Sequence, residues 1–166
     1  MNPFKSISAK DITDNPFKLI GDDWTLITAG NKNGYNTMTA SWGGVGVLWR
    51  KNVVYIFVRP QRYTKEFLDR ETNFSLSFFE NEREALSFCG SHSGRDCDKA
   101  AETGLTPIFS ESAPYFEQAR LVLICKKLYC QPFDPNCVID KSVLDNYENN
   151  DFHYVYVGEI EKVLSK

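Results

Sequence analysis

The sequence predicts a mainly β protein, a six-stranded antiparallel barrel with short flanking helices. Three observations carry this. About six short runs have strand character, some alternating and some continuously apolar. Helical patterns are few and brief, whereas a parallel α/β sheet needs a helix at each crossover. Aromatic residues make up 14% of the chain, led by Phe and Tyr. That composition suits strands and a site where flat rings stack.

Trp24 to Ala29 is the first expected strand. Asn31-Lys32-Asn33-Gly34 follows as a hairpin turn, because Asn and Gly accept positive φ. Tyr35 to Trp42 is the returning strand. Val53 to Val58 is a continuous apolar run, consistent with a strand covered on both faces, and Pro60 ends it. Tyr63 to Arg70 predicts a short helix, with Thr64 as N-cap and a Tyr63–Leu68 staple. Phe74, Leu76 and Phe78 alternate with Ser75 and Ser77, the pattern of a half-buried strand. Asn81 is expected to cap a helix through Phe88, with Glu84 at the capping-box position and Gly90 as the stop. Leu121 to Cys130 predicts a long strand whose apolar parity switches midway, so a bulge is expected at Lys126-Lys127. Ser142 to Tyr147 is a weak helix, and His153 to Val163 is the last strand.

The 166 residues fit one domain spanning 1–166, large enough to bury a core. The formal net charge is −3 with no basic stripe, which argues against a nucleic-acid partner. Arg59, Arg62 and Lys65 cluster locally, and such a group suits one anion better than a polymer. No apolar run is long enough to span a membrane. The N-terminus, Met1-Asn2-Pro3-Phe4-Lys5, lacks the apolar stretch of a signal peptide, so the expected compartment is the cytoplasm. Cysteines at 89, 97, 125, 130 and 137 are odd in number and form no Cys-x-x-Cys pair. Free, mostly buried thiols are expected, and no metal site.

Four segments could carry chemistry. Asn36-Thr37-Met38-Thr39-Ala40-Ser41-Trp42-Gly43-Gly44 ends a strand in hydroxyl residues, a Trp plane and two glycines. Those groups can bind the polar edge and face of a planar heterocycle. The same residues also read as a strand entering a glycine turn, with Trp42 in the core. Arg59-Pro60-Gln61-Arg62-Tyr63-Thr64-Lys65 leads into a helix N-terminus, where free amides, the helix dipole and a bidentate Arg62 attract an anion. It reads equally as a solvated, capped loop. Cys89 to Lys99 is a polar, glycine-bearing loop, either lying over a ligand or simply connecting two elements. Asn150-Asp151-Phe152-His153 opens the last strand. His153 titrates near neutrality and could sit at a redox site, or be structural. No Ser-His-Asp order with a nucleophile elbow and no G-x-G-x-x-G after a strand occurs.

Taken in order, N-T-M-T-A-S-W-G at 36–43, V-R-P-Q-R-Y-T at 58–64, C-G-S-H-S-G-R-D-C-D-K at 89–99 and D-F-H-Y-V-Y-V-G-E-I at 151–160 resemble a known family. It is the flavin reductase-like family of FMN-binding split barrels, in its flavoredoxin-like branch. The resemblance covers roughly residues 15 to 163. It implies an FMN held without a covalent bond. Asn36, Thr37, Met38, Thr39, Ala40, Ser41 and Trp42 would line the isoalloxazine. Arg59, Arg62, Tyr63 and Thr64 would lie around the phosphate, with Ser93, Gly94 and Lys99 on a loop near the cofactor. The resemblance also implies a homodimer with each flavin near the subunit interface. His153 matches a Gly-Asp-x-His-like motif near the nicotinamide substrate, with Asn150 standing where Gly is common.

Three functions follow for comparison. The first is an FMN-dependent oxidoreductase taking a hydride from NAD(P)H, with His153 as the candidate for substrate contact. The second is an FMN-binding electron carrier served by a redox partner protein. The third is a barrel-fold interaction module whose glycine loops are merely turns.

Overall fold

The structure is a computed structural model describing residues 3–166; Met1 and Asn2 of the polar N-terminus lie outside the described residues. The strands are β1 (Lys5–Ile7), β2 (Thr25–Asn31), β3 (Gly34–Ala40), β4 (Gly43–Leu48), β5 (Lys51–Val58), β6 (Asn73–Phe78), β7 (Pro107–Ile108), β8 (Tyr115–Phe116), β9 (Leu121–Pro132) and β10 (Tyr154–Ser165). The helices are α1 (Tyr63–Arg70), α2 (Arg83–Ser91) and α3 (Lys99–Thr103). The antiparallel ladder runs β3-β2-β6-β9-β10-β5-β4, with β1 also on β10 and β7-β8 as a separate pair.

All six expected strands are present, and β4 is the main addition. Its Gly43-Gly44-Val45-Gly46 start lacks the side chains that mark a strand, yet it pairs with β5 from Gly43↔Ile56 to Leu48↔Lys51. Trp49 and Arg50 close that hairpin with φ of 51° and 62°, the left-handed pair that suits the strand twist. β3 and β4, consecutive in the chain, are the two ends of the ladder and do not pair with each other. Ser41 and Trp42 bridge them. The expected strand from Tyr35 to Trp42 thus stops at Ala40, and Trp24, at φ 69°, stands outside β2.

Two apolar clusters hold the sheet. One fills the barrel, with Ile27, Met38, Val54, Phe74, Leu76, Phe78, Leu123 and Tyr156 among its members. The other lies between the sheet and α2, α3 and β8, and includes Leu26, Leu86, Cys89, Tyr115, Phe116 and Val122. Each fully buried Phe or Leu contributes roughly 1.5–3 kcal/mol. This second layer corrects the half-buried reading of β6. Ser75 and Ser77 are buried because α2 and β8 cover the face they occupy. The Ser75 hydroxyl donates to the Pro114 carbonyl, while Ser77 Oγ is buried without a partner.

The bulge of β9 falls at Leu128, because Tyr129 opposes Val157 and Lys127 opposes Gly158. Gly158 is required there: a Cβ would stand 2.5 Å from Cζ of Phe74. α1 forms as expected, but Arg62 is its N-cap and Tyr63 packs edge-on against Phe67, with ring centroids 5.0 Å apart. α2 begins one residue later than expected, with Glu82 as N-cap, and runs through Gly90 to Ser91. The weak helix is a 3-10 turn over Lys141–Asn146.

The five cysteines are free, but only Cys89 and Cys125 are buried; Cys97 is half-buried, and Cys130 and Cys137 are exposed. Among the described residues, no helix is long and apolar enough to cross a membrane, and no His, Cys, Asp or Glu cluster could hold a metal ion.

Candidate functional site

Period-two alternation decides what β3 shows. Asn36, Met38 and Ala40 pair with Ala29, Ile27 and Thr25 of β2. Met38 and Ala40 join the barrel cluster. Thr37 and Thr39 therefore point the other way. The Thr37 hydroxyl lies 2.9 Å from that of Thr28, and the Thr39 hydroxyl donates to the Leu86 carbonyl. Both hydroxyls are therefore already hydrogen-bonded within the protein.

Beyond Ala40 the chain turns out of the ladder and opens a cavity of about 260 Å³, lined by Met38, Thr39, Ala40, Ser41, Trp42, Phe57, Arg59, Arg62 and His153. Trp42 is half exposed, not in the core, because it sits at the β3–β4 corner. Its ring lies 5.4 Å from that of His153.

A second cavity, about 190 Å³, opens at the start of α1 and is lined by Asn36, Gln61, Arg62, Tyr63, Thr64, Ser91, His92, Ser93, Gly94 and Lys99. In the first turn of α1 the Lys65 amide donates to the Arg62 carbonyl at 3.0 Å, while the amides of Tyr63 and Thr64 have no acceptor inside the helix. Thr64 is fully buried, and its hydroxyl accepts a 2.8 Å bond from Asn36 Nδ2 rather than capping the helix. Gly94 presses so closely on Asn36 that any Cβ would overlap the amide oxygen. Arg62 lines both cavities. Its Nη1 donates 2.8 Å to the Gly90 carbonyl, and its Nη2 is buried with no partner. A buried, unpartnered guanidinium nitrogen is costly unless an anion completes it.

Lys99 is buried beside this cavity. Its Nζ donates to the carbonyls of Thr37 (2.9 Å) and Cys89 (2.8 Å). Burial, and secondly the charge of Arg62, push its ammonium down to about 8. Burial raises the neighbouring Cys89 thiol to about 11.

Arg59 stands apart from the residues expected around a phosphate. It lines the first cavity only, because Asp151 takes its Nη1 at 2.7 Å and the Asn146 carbonyl takes its Nη2 at 2.9 Å. Thr37 lines neither cavity; it borders a separate hollow on the far side of Lys99. The other expected residues gather along the two cavities.

His153, just before β10, is buried, and its Nδ1 lies 2.7 Å from the Tyr147 hydroxyl. Burial, then Arg59, push the imidazole down to about 4, with Asp151 opposing. Asn150 takes φ 53°. That conformation favours Gly or Asn, so Asn150 meets the backbone need of a position where Gly is common. Phe57, Gln61 and Tyr147 were not foreseen. Phe57 is one of several apolar residues in β5, and nothing local in the sequence marks Tyr147 as the partner of His153.

Solved structures of known proteins share this fold. Flavoredoxin from Methanosarcina acetivorans is 24% identical, with 87% of this chain and 68% of that one covered and a TM-score of 0.69. An FMN-binding domain of a flavin reductases-like enzyme from Shewanella baltica is 15% identical, covering 99% and 78%, with a TM-score of 0.69. The NADH:FAD oxidoreductase SgcE6 of Streptomyces globisporus is 19% identical, covering 85% and 73%, with a TM-score of 0.62. No curated protein matches the sequence. The family model of the flavin reductase like domain matches residues 19–164, and the chain belongs to that family.

Proposed function

We propose that the chain binds FMN and acts as an FMN-dependent oxidoreductase, moving electrons from NAD(P)H to an acceptor. The observation that carries this is Arg62 Nη2, buried and unpartnered between a heterocycle-sized cavity and an anion-attracting helix start. Arg62, the first-turn amides of α1 and Ser93 would hold the phosphate. Met38, Ala40 and Trp42 would pack the ring, and Asn36 would brace Thr64 beneath it. FMN, when bound, supplies reversible hydride and electron transfer. His153 stays neutral at physiological pH and contacts the substrate side of the cavity. The exposed Val45, Val47 and Trp49 on and beside edge strand β4 support a homodimer. Five free thiols suit the reducing cytoplasm.

One feature favours the carrier reading. The apolar hollow beyond Trp42, about 560 Å³, has no Lys or Arg in its lining to offset the diphosphate of NAD(P)H. A redox partner protein would then supply the electrons.

Titration with FMN and with riboflavin tests the cofactor. FMN is expected to bind about 100-fold tighter, as two charge-assisted hydrogen bonds would provide. Equal affinities would remove the phosphate site. Adding NADH or NADPH to the FMN-loaded protein without oxygen then separates the readings: rapid bleaching marks the enzyme, persistent yellow the carrier.

A further inference from the structure

His153 and Tyr147 share one hydrogen bond, and its direction decides what the imidazole offers to the cavity. Tyr147 is nearly buried. Its ring is stacked on Phe152 at 4.4 Å, and the Arg59 guanidinium lies 5.1 Å from its centroid. These contacts fix where the hydroxyl points.

Among the described residues, the Tyr147 hydroxyl has one side-chain partner, His153 Nδ1, and the only backbone group acting on it, the His153 N–H, is a donor and leaves the phenol hydrogen free to be given. Arg59 is a cation and cannot accept. Asp151 Oδ2 already accepts from Arg59 and Gln61, both at 2.7 Å, and Asp151 Oδ1 is buried without any hydrogen-bond partner, so the phenol does not reach it. If Nδ1–H were the donor, the phenol hydrogen would have no protein acceptor, at the cost of an unmade bond. With Tyr147 donating, Nδ1 accepts and the single proton of the neutral ring resides on Nε2. Nε2 has no protein partner and is not among the buried unpartnered atoms, so it opens to the cavities that His153 lines.

We propose that Tyr147 is a positioning residue that holds His153 as the Nε2–H tautomer, so that the imidazole presents a hydrogen-bond donor beside Trp42. The purpose of that donor, contact with a redox substrate, rests on the proposed flavin site; the tautomer itself does not. The 3-10 segment ending at Asn146 thereby acts on the cavity through the next residue, without entering the barrel.

The test is two-bond proton–nitrogen correlation spectroscopy of the full-length protein carrying 15N-histidine. The chain has two histidines, and His92→Gln assigns them. His153 should show a pyridine-like Nδ1 and a pyrrole-like Nε2 at neutral pH. In Tyr147→Phe the ratio of Nε2–H to Nδ1–H forms should fall at least about fivefold, the effect of one lost hydrogen bond. The His92 signals and the thermal melt report whether that variant is folded. A wild-type Nδ1–H form overturns the proposal, even if the variant does not fold. An unchanged ratio in folded Tyr147→Phe does so too. FMN titration of the same wild-type sample is independent: failure to bind sinks the flavin reading and leaves the tautomer result standing.

Discussion

Arg62 reaches across the site to the main chain of α2, donating from Nη1 to the Gly90 carbonyl at 2.8 Å while its Nη2 meets nothing. One half of the guanidinium is thus a fixed strut, and the other half is a waiting donor. Arg62→Ala should weaken FMN binding by about 1.5–3 kcal/mol and leave riboflavin binding nearly unchanged. Calorimetric titration with both ligands measures the contrast. Equal losses for the two would show that Arg62 only shapes the ring cavity.

His153 sets an acid limit on stability. Its pKa is about 4 when folded against 6.5 as the ordinary value. The unfolded chain therefore takes up the proton first. This contribution is complete above about pH 6.5 and is lost as pH falls toward 4. At about 1.36 kcal/mol per pKa unit, the loss reaches up to about 3 kcal/mol. Urea melts of wild type and His153→Gln between pH 7 and 4.5 should converge or cross as pH falls. A constant gap would rule the effect out.

Lys99 acts at the alkaline end. Its ammonium titrates at about 8 in the fold and at 10.5 ordinarily. Between those values the unfolded chain holds more protons, so the free protein gains stability as pH rises. FMN affinity should move the other way, weakening above about pH 8 as the cation beside the phosphate cavity is lost. Lys99→Met should bind FMN more weakly at pH 7 and show a flat profile to pH 9.5. A wild-type affinity that does not change over this range would place Lys99 outside the binding site.

Gly158→Ala tests the barrel rather than the site. A Cβ there stands 2.5 Å from the fully buried Phe74 ring. Overpacking of this kind costs about 1–3 kcal/mol. Chemical denaturation should show that loss, and ring displacement should be confined to the core. A variant as stable as wild type would mean that Phe74 repacks freely.

Local signals were legible where one short stretch decides the outcome. The Asn31–Gly34 turn joins β2 to β3, with Asn31 and Gly34 facing each other across the ladder. The Tyr63–Arg70 helix follows Pro60 with its boundaries as expected. β4 was hidden because three of its first four residues are glycines, which carry no alternation to read. Ser75 and Ser77 looked solvent-facing because nothing local shows that α2 folds back over them or that β8, about forty residues on, completes the layer. The site divides the same way. The Asn36–Trp42 and Arg62–Thr64 segments were visible as chemistry-bearing runs. The pairing of Arg59 was not readable because its partner, Asp151, comes 92 residues later. Residue type alone does not reveal which face of a strand a hydroxyl takes, so the division of Thr39 to the first cavity and Thr37 to a separate hollow was not readable.

The free margins of the sheet belong to adjoining strands, separated by only Ser41 and Trp42. Widening the gap between those margins breaks no rung of the ladder, whereas opening the wall at any other place does. The corner beside the first cavity is therefore where the wall can part at the least cost in backbone hydrogen bonds.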